Sequence, residues 1–234
     1  MKIGLISLAV LAGTGSILAD TDPYNPVGTL QVSPKTVQTG VHTNLSWDVE
    51  YPSAVLDIVD INDDDSITTK IETRLQLRVI GASWSTRTTF YTVNAYARIS
   101  GSSWRQVFYG KEYDINPLYL PINRIVSPGS RIDVAARGHL GRSNWTQWYW
   151  TLENHQNVVA LVNGDPVPTI DKAHAIQEDV ETYLANYVDD DGNISIGPHD
   201  VIYLFDFNSY GSSGFDLQDF VCLLTFTPTE YVVD

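Results

Sequence analysis

The strongest constraint on the fold is a two-residue alternation that recurs along the middle of the chain. In "TRLQLRV", Leu75, Leu77 and Val79 fall on one side and Arg74, Gln76 and Arg78 on the other. In "TFYTVNAYARIS", Tyr91, Val93, Ala95, Ala97 and Ile99 share a side, opposite Thr92, Asn94, Tyr96 and Arg98. "RIDVAARG" places Ile132, Val134 and Ala136 together. Successive side chains of a strand point to opposite faces, so this pattern marks half-buried antiparallel strands. Gly101-Ser102-Ser103, Asn116-Pro117, Ser127-Pro128-Gly129, Gly141-Arg142-Ser143 and Asn163-Gly164-Asp165-Pro166 supply turns between them. "NVVALV", "DVIYLFDF" and a final stretch from about Phe220 to Phe226 are further strands. The pattern predicts a mainly β chain, an antiparallel β-sandwich of immunoglobulin-like or jelly-roll-like type.

One helix interrupts the strands. From Asp171 to Val188 the apolar residues Ala173, Ile176, Val180, Tyr183, Leu184, Tyr187 and Val188 recur at three- and four-residue steps. Pro168 precedes it, and Asp171 or Thr169 is placed to cap it. The expected organisation is a signal peptide over residues 1–19, a turn-rich leader over 20–29, and one sandwich domain over 30–234 that includes helix 171–188. A split near Pro168, giving a second small domain, is the alternative.

"MKIGLISLAVLAGTGSILA" has a charged start, a short apolar run and a small residue at Ala19. That is the layout of a secretory signal, and the apolar run is shorter than the roughly 20 residues a bilayer-spanning helix needs. The mature chain is therefore expected in the cell envelope or outside the cell, without membrane insertion. Its acids outnumber its bases, 28 to 14, for a formal charge of −14. Such a surface repels nucleic acid. Cys222 is the single cysteine and lies in the apolar "DFVCLLTF". It is expected to be a buried thiol, so the fold is stabilised by its core rather than by an intrachain disulfide.

Three stretches carry candidate chemistry. In "NYVDDDGNISIGPHD", Asp189, Asp191, Asn193, Ser195 and Asp200 match EF-hand positions 1, 3, 5, 7 and 12. Ile194 replaces the glycine of position 6, and a strand follows instead of a second helix. The alternatives are a structural Ca2+ site at the end of a helix, whose dipole disfavours carboxylates there, or a solvated acidic turn. "LDIVDINDDDSITT" is a second acidic cluster, and is expected to be a hairpin loop with Asx turns.

"SNWTQWYWTLEN" is the third. Alternation puts Trp145, Gln147 and Tyr149 on one face and Trp148 and Trp150 on the other. An exposed aromatic face stacks against sugar rings in carbohydrate-binding sandwiches, so Trp145, Tyr149 and Trp104 are the candidate ligand residues. Core packing is the competing explanation. Histidines lack metal-ligand spacing, and no nucleophile elbow, phosphate loop or HExxH motif occurs. Asp206, Asp216 and Asp219 are a candidate carboxylate pair for glycoside hydrolysis, a common coincidence in so acidic a chain. No catalytic residue is assigned.

The segments "VSPKTVQTGVHTNLSWDVEYP", "SSWRQVFYG" and "ISIGPHDVIYLFDF" resemble a group of uncharacterised secreted proteins from Verrucomicrobia-type bacteria. The Trp47 segment resembles immunoglobulin-like modules of bacterial surface proteins, without their cysteine pair. The resemblance implies an exported bacterial protein and carries no substrate or site residues with it. The expected function is a non-enzymatic envelope or extracellular protein with a structural or adhesive role, its partner a glycan or another envelope protein. A carbohydrate-binding module and a polysaccharide-active enzyme are the alternatives.

Overall fold

The computed structural model describes residues 27–32, 45–50, 54–86, 89–153, 156–170, 184–212 and 214–229. The chain falls into two compact units, Met1–Glu50 and Tyr51–Asp234. In the first, β1 (Val27–Val32) and β2 (Leu45–Glu50) pair antiparallel with Leu30 opposite Trp47. The expected signal peptide and leader lie outside the described residues, apart from Val27 to Thr29 in β1.

The second unit opens with a four-residue helix, α1 (Val55–Ile58). The Asp57 carboxylate accepts a hydrogen bond from the Ala54 N–H at its start. Then come β3 (Val59–Ile61), β4 (Ile67–Thr69), β5 (Thr73–Gly81), β6 (Ser85–Thr86), β7 (Thr89–Phe90), β8 (Val93–Ile99) and β9 (Arg105–Gly110). The remaining strands are β10 (Ile122–Val126), β11 (Arg131–Gly141), β12 (Asn144–Trp145), β13 (Tyr149–Trp150), β14 (Val158–Val162), β15 (Asp200–Phe205) and β16 (Phe220–Pro228). Two antiparallel sheets form the sandwich. One has five strands in the order β10-β5-β16-β15-β14. The other has seven, β3-β4-β11-β8-β9, with β12 and β13 also paired to β11.

The alternation in the sequence produces the interior directly. Leu75 and Leu77 of β5, Val93, Ala95 and Ala97 of β8, and Ile132, Val134 and Ala136 of β11 are all fully buried in one cluster. Tyr203, Phe205, Phe220, Cys222, Leu224 and Phe226 complete it from β15 and β16. Large aromatic side chains of the five-stranded sheet thus share a core with small alanines of the other, which lets the two layers interdigitate. Burial pushes the Cys222 thiol well above its ordinary value, so it is an inert core residue.

β15 shows no alternation in burial, because both its faces are covered. Its second face, with Ile202 and Leu204, joins Leu161, Val221 and Leu223 in a separate cluster. Leu184 and Ile194 from the segment before β15, with Phe215 and Leu217 from the β15–β16 connection, lie over it. Most of the expected helix, residues 171–183, lies outside the described residues. Its last residues form a single 3-10 turn, Ala185–Tyr187, after which Val188 bridges to Ile194.

Candidate functional site

The outer face of the seven-stranded sheet differs from every other covered or open face of the sandwich. Because Val93, Ala95 and Ala97 point inward, Asn94, Tyr96 and Arg98 of β8 point outward. Because Ile132, Val134 and Ala136 of β11 point inward, Asp133, Ala135, Arg137 and His139 point outward with them. Register places Asn94 beside Arg137 and Tyr109, Tyr96 beside Gln106, and Arg98 beside Asp133. Trp145 pairs with His139 and Trp150 with Ala135, so both indoles sit along the edge of this face.

The side chains assemble around Arg137. Its guanidinium lies 4.6 Å from the ring centre of Trp145 and 4.3 Å from that of Trp148. A cation over an indole face is attracted by the ring quadrupole, most strongly when water is displaced. Tyr96 meets Trp148 edge-on at 5.5 Å, His139 meets Trp145 at 5.0 Å, and Tyr109 leans towards Trp145 at 6.3 Å. Gln106 donates from its amide to Asn94 Oδ1 at 2.9 Å and to the Tyr96 hydroxyl at 3.3 Å. Tyr109 is 61% exposed, whereas the indoles of Trp145 and Trp148 are half-buried.

A second arginine–tryptophan unit sits further along the same face. Arg98 lies 4.8 Å from the ring centre of Trp104, which the Ser100–Gly101 turn delivers just before β9. Arg98 also donates to the buried Asp133, whose other oxygen accepts from Arg131. Four residues separate Asn94, the neighbour of Arg137, from Arg98. At roughly 3.3 Å per residue the two units stand about 13 Å apart along the strand.

The structure separates the tyrosine and tryptophan that simple alternation had put together. Tyr149 is 6% exposed and stacks on Phe207 in the core at 6.1 Å, with its hydroxyl donating to the Phe207 carbonyl at 3.4 Å. Trp145 stays outward. The reason is a break in the strand. β12 and β13 are separate two-residue pairings, and five residues on this side (145 to 149) oppose only four on β11 (139 to 136). One extra residue reverses the facing of everything after it. Trp148 and Trp150, expected on the other face from Trp145, share the outer one. Trp104 lies on this same face, as the Arg98 contact shows.

The acidic loop is organised by its own backbone. Asp189 Oδ1 accepts from the N–H of Asp191 at 3.0 Å and of Asn193 at 2.9 Å, closing an Asx turn around Gly192, whose φ is +81°. The Ser195 N–H donates to the Tyr187 carbonyl. Asp200 belongs to β15, where its oxygens accept from the Thr225 hydroxyl and the Gly197 N–H. Asp189, Asp191, Asn193 and Ser195 share one turn, and Asp200 serves a different set of partners. Among the described residues no three His, Cys, Asp or Glu side chains are grouped so as to hold a metal ion. The other acidic cluster is a β3–β4 hairpin loop. There Asp64 accepts from the Ser66 N–H and hydroxyl and pairs with Arg131.

Asp206, Asp216 and Asp219 do come together, but inside the loop joining β15 to β16. Asp206 and Asp219 are 0% and 1% exposed. Asp206 accepts backbone N–H bonds from Asn208, Asp216 and Leu217, and Asp219 accepts one from Phe207. Burial pushes the Asp206 carboxyl up to about 6 despite those three bonds. Burial and then the charges of Asp206 and Asp216 raise Asp219 well above its ordinary value. A glycosidase acid and base must reach a sugar and a water. These two carboxylates instead hold the loop closed from within.

Arg137 is the functional candidate that the sequence reading missed. The signal was present, since it occupies an outward position of "RIDVAARG", but its two tryptophan partners lie 8 and 11 residues on. No family model matches the chain, and no curated protein or solved structure matches it.

Proposed function

We propose that this is an exported, non-catalytic protein that binds carbohydrate across the outer face of its seven-stranded sheet, in a structural or adhesive role. One observation carries the proposal: Arg137 over the rings of both Trp145 and Trp148, with Tyr96, Tyr109 and the Gln106–Asn94 amides around it. A sugar ring has an apolar face of C–H bonds and a rim of hydroxyls. It needs flat aromatic surface for the first and fixed planar donors and acceptors for the second. Binding surfaces for small ligands combine these two elements, a mainly aromatic lining and a few placed polar groups. The second arginine–tryptophan unit, about 13 Å away, extends the face to more than one ring. Export is supported by the N-terminal sequence, and the acidic surface suits a protein that stays in solution without gripping nucleic acid.

The test is a glycan array probed with the purified chain, followed by Tyr109→Ala and Trp148→Ala variants. Retention of one class of glycan, lost in both variants while their far-ultraviolet spectra match the wild type, is expected. No retained glycan, or variants that bind as the wild type does, would sink the proposal.

A further inference from the structure

We infer that the glycan recognised at Arg137 is acidic, and that its uronic-acid carboxylate docks on the edge of this guanidinium. The inference rests on the carbohydrate-binding reading of the same face.

Few of the described basic side chains pair with a carboxylate, and Arg74, Arg78, Arg105, Arg124 and Arg142 resemble Arg137 in forming no ion pair. Lys70 pairs with Asp60, Arg98 with Asp133, and Arg131 with both Asp64 and Asp133. Arg137 takes part in none of these ion pairs. Its guanidinium carbon lies over the rings of two indoles. Its Nε is buried without a partner. Of the described arginines it alone has a buried donor without a partner, while its terminal nitrogens are not buried and are open to an acceptor from outside.

Shape narrows the acceptor. A guanidinium donates its hydrogen bonds in its own plane. A planar carboxylate matches that edge through two parallel N–H···O bonds. A sulfate can also present two oxygens to such an edge, so the sulfated galactan in the experiment separates the two anions. The surroundings agree. Asp133, on the same face of β11, is already paired twice, and the residues around Arg137 are Asn94, Gln106, Tyr96, Tyr109 and His139. The site is a small cationic island on a strongly acidic protein, so it attracts an anionic chain only locally. A planar charged group on a sugar therefore suits it better than a densely charged polymer of another kind.

The experiment compares polygalacturonate and alginate with their methyl esters, and with a sulfated galactan, by titration calorimetry of the whole chain. Esterification keeps the sugar backbone and removes the charge. The acids should bind about ten- to hundredfold more tightly than the esters, the equivalent of one charge-assisted hydrogen-bond pair. The difference should shrink as salt is raised. Arg137→Gln should bring the acid-to-ester ratio towards one. A merely structural arginine would lower the melting temperature of that variant and leave the ratio alone. Should the variant not fold, the acid–ester comparison on the wild type decides by itself. Equal binding of acid and ester, or preference for the sulfated galactan, overturns this inference while leaving carbohydrate binding standing. Binding of none of these polymers overturns the inference. Retention of no glycan on the array defeats the broader proposal as well.

Discussion

The outer faces of the two sheets have opposite fates. Behind the five-stranded sheet, Leu161, Ile202, Leu204, Val221 and Leu223 form an apolar surface, and the chain folds back to cover it with Leu184, Ile194, Phe215 and Leu217. On the seven-stranded sheet the corresponding surface carries Asn94, Tyr96, Arg98 and Arg137, with flat rings at its edge. The first face repays covering, because each large aliphatic side chain taken out of water contributes about 1.5–3 kcal/mol. The second repays it less, because its polar groups are already solvated or stacked. A single sandwich therefore uses one outer face for stability and leaves the other polar and aromatic.

That contrast can be tested by substitution. Leu204→Ala, in the covered outer face, should have the largest effect, a loss of about 2–5 kcal/mol in urea unfolding. A loss below 1 kcal/mol would mean that the covering layer packs loosely and that the two faces are more alike than described.

Gly138→Ala should come next. A Cβ there would lie 2.5 Å from Trp84 Nε1 and 2.7 Å from Phe207 Cδ2, both in the packed interior. Trp84 is held by its hydrogen bond to the His139 carbonyl, so it does not give way easily. A cost of about 1–3 kcal/mol is expected, measured by thermal melting. A neutral outcome would show that β11 can shift. In that case the spacing of Arg137, one residue earlier, is not rigidly set.

The third test concerns pH. Asp206 and Asp219 have folded-state values raised above the unfolded ones, by burial first. Near pH 3 both states hold these protons, and the two groups do not disturb stability. As pH rises above about 4 the unfolded chain ionises first, so stability falls through the window up to about 6 for Asp206, and the raised Asp219 adds to the decline. Asp219→Asn, whose amide oxygen can still accept from the Phe207 N–H, should make that decline shallower. A melting temperature that falls with pH equally steeply in the variant would contradict the assignment. The smallest stability effect belongs to the contact face itself. Tyr109→Ala should stay within about 0.5 kcal/mol of the wild type, even though glycan retention is expected to be lost.

The two acidic features show where local reading stops. Three successive aspartates left a cation site and a solvated turn as alternatives, and the structure adds that one oxygen of Asp189 accepts from backbone N–H groups two and four residues on. That turn depends on dihedral angles that residue spacing does not encode. The carboxylates of Asp206, Asp216 and Asp219 were identified as a group from spacing, and they do meet. Their burial, which turns them from candidate catalysts into loop ties, follows from the packing of β15 and β16.

By itself the sequence determined the sandwich, the interior faces of β5, β8 and β11, the buried thiol and the hairpin at residues 59–69. Each follows from the period-2 geometry of a strand or from turn chemistry within a few residues. Tertiary structure alone decided that Trp145 and Tyr149 part company, because the extra residue opposite β11 becomes visible only once both strands are paired. It alone decided that β15 is covered twice. It alone brought Trp145 and Trp148 onto Arg137. That stacking needs three neighbouring stretches of chain in register, and no single stretch contains the information.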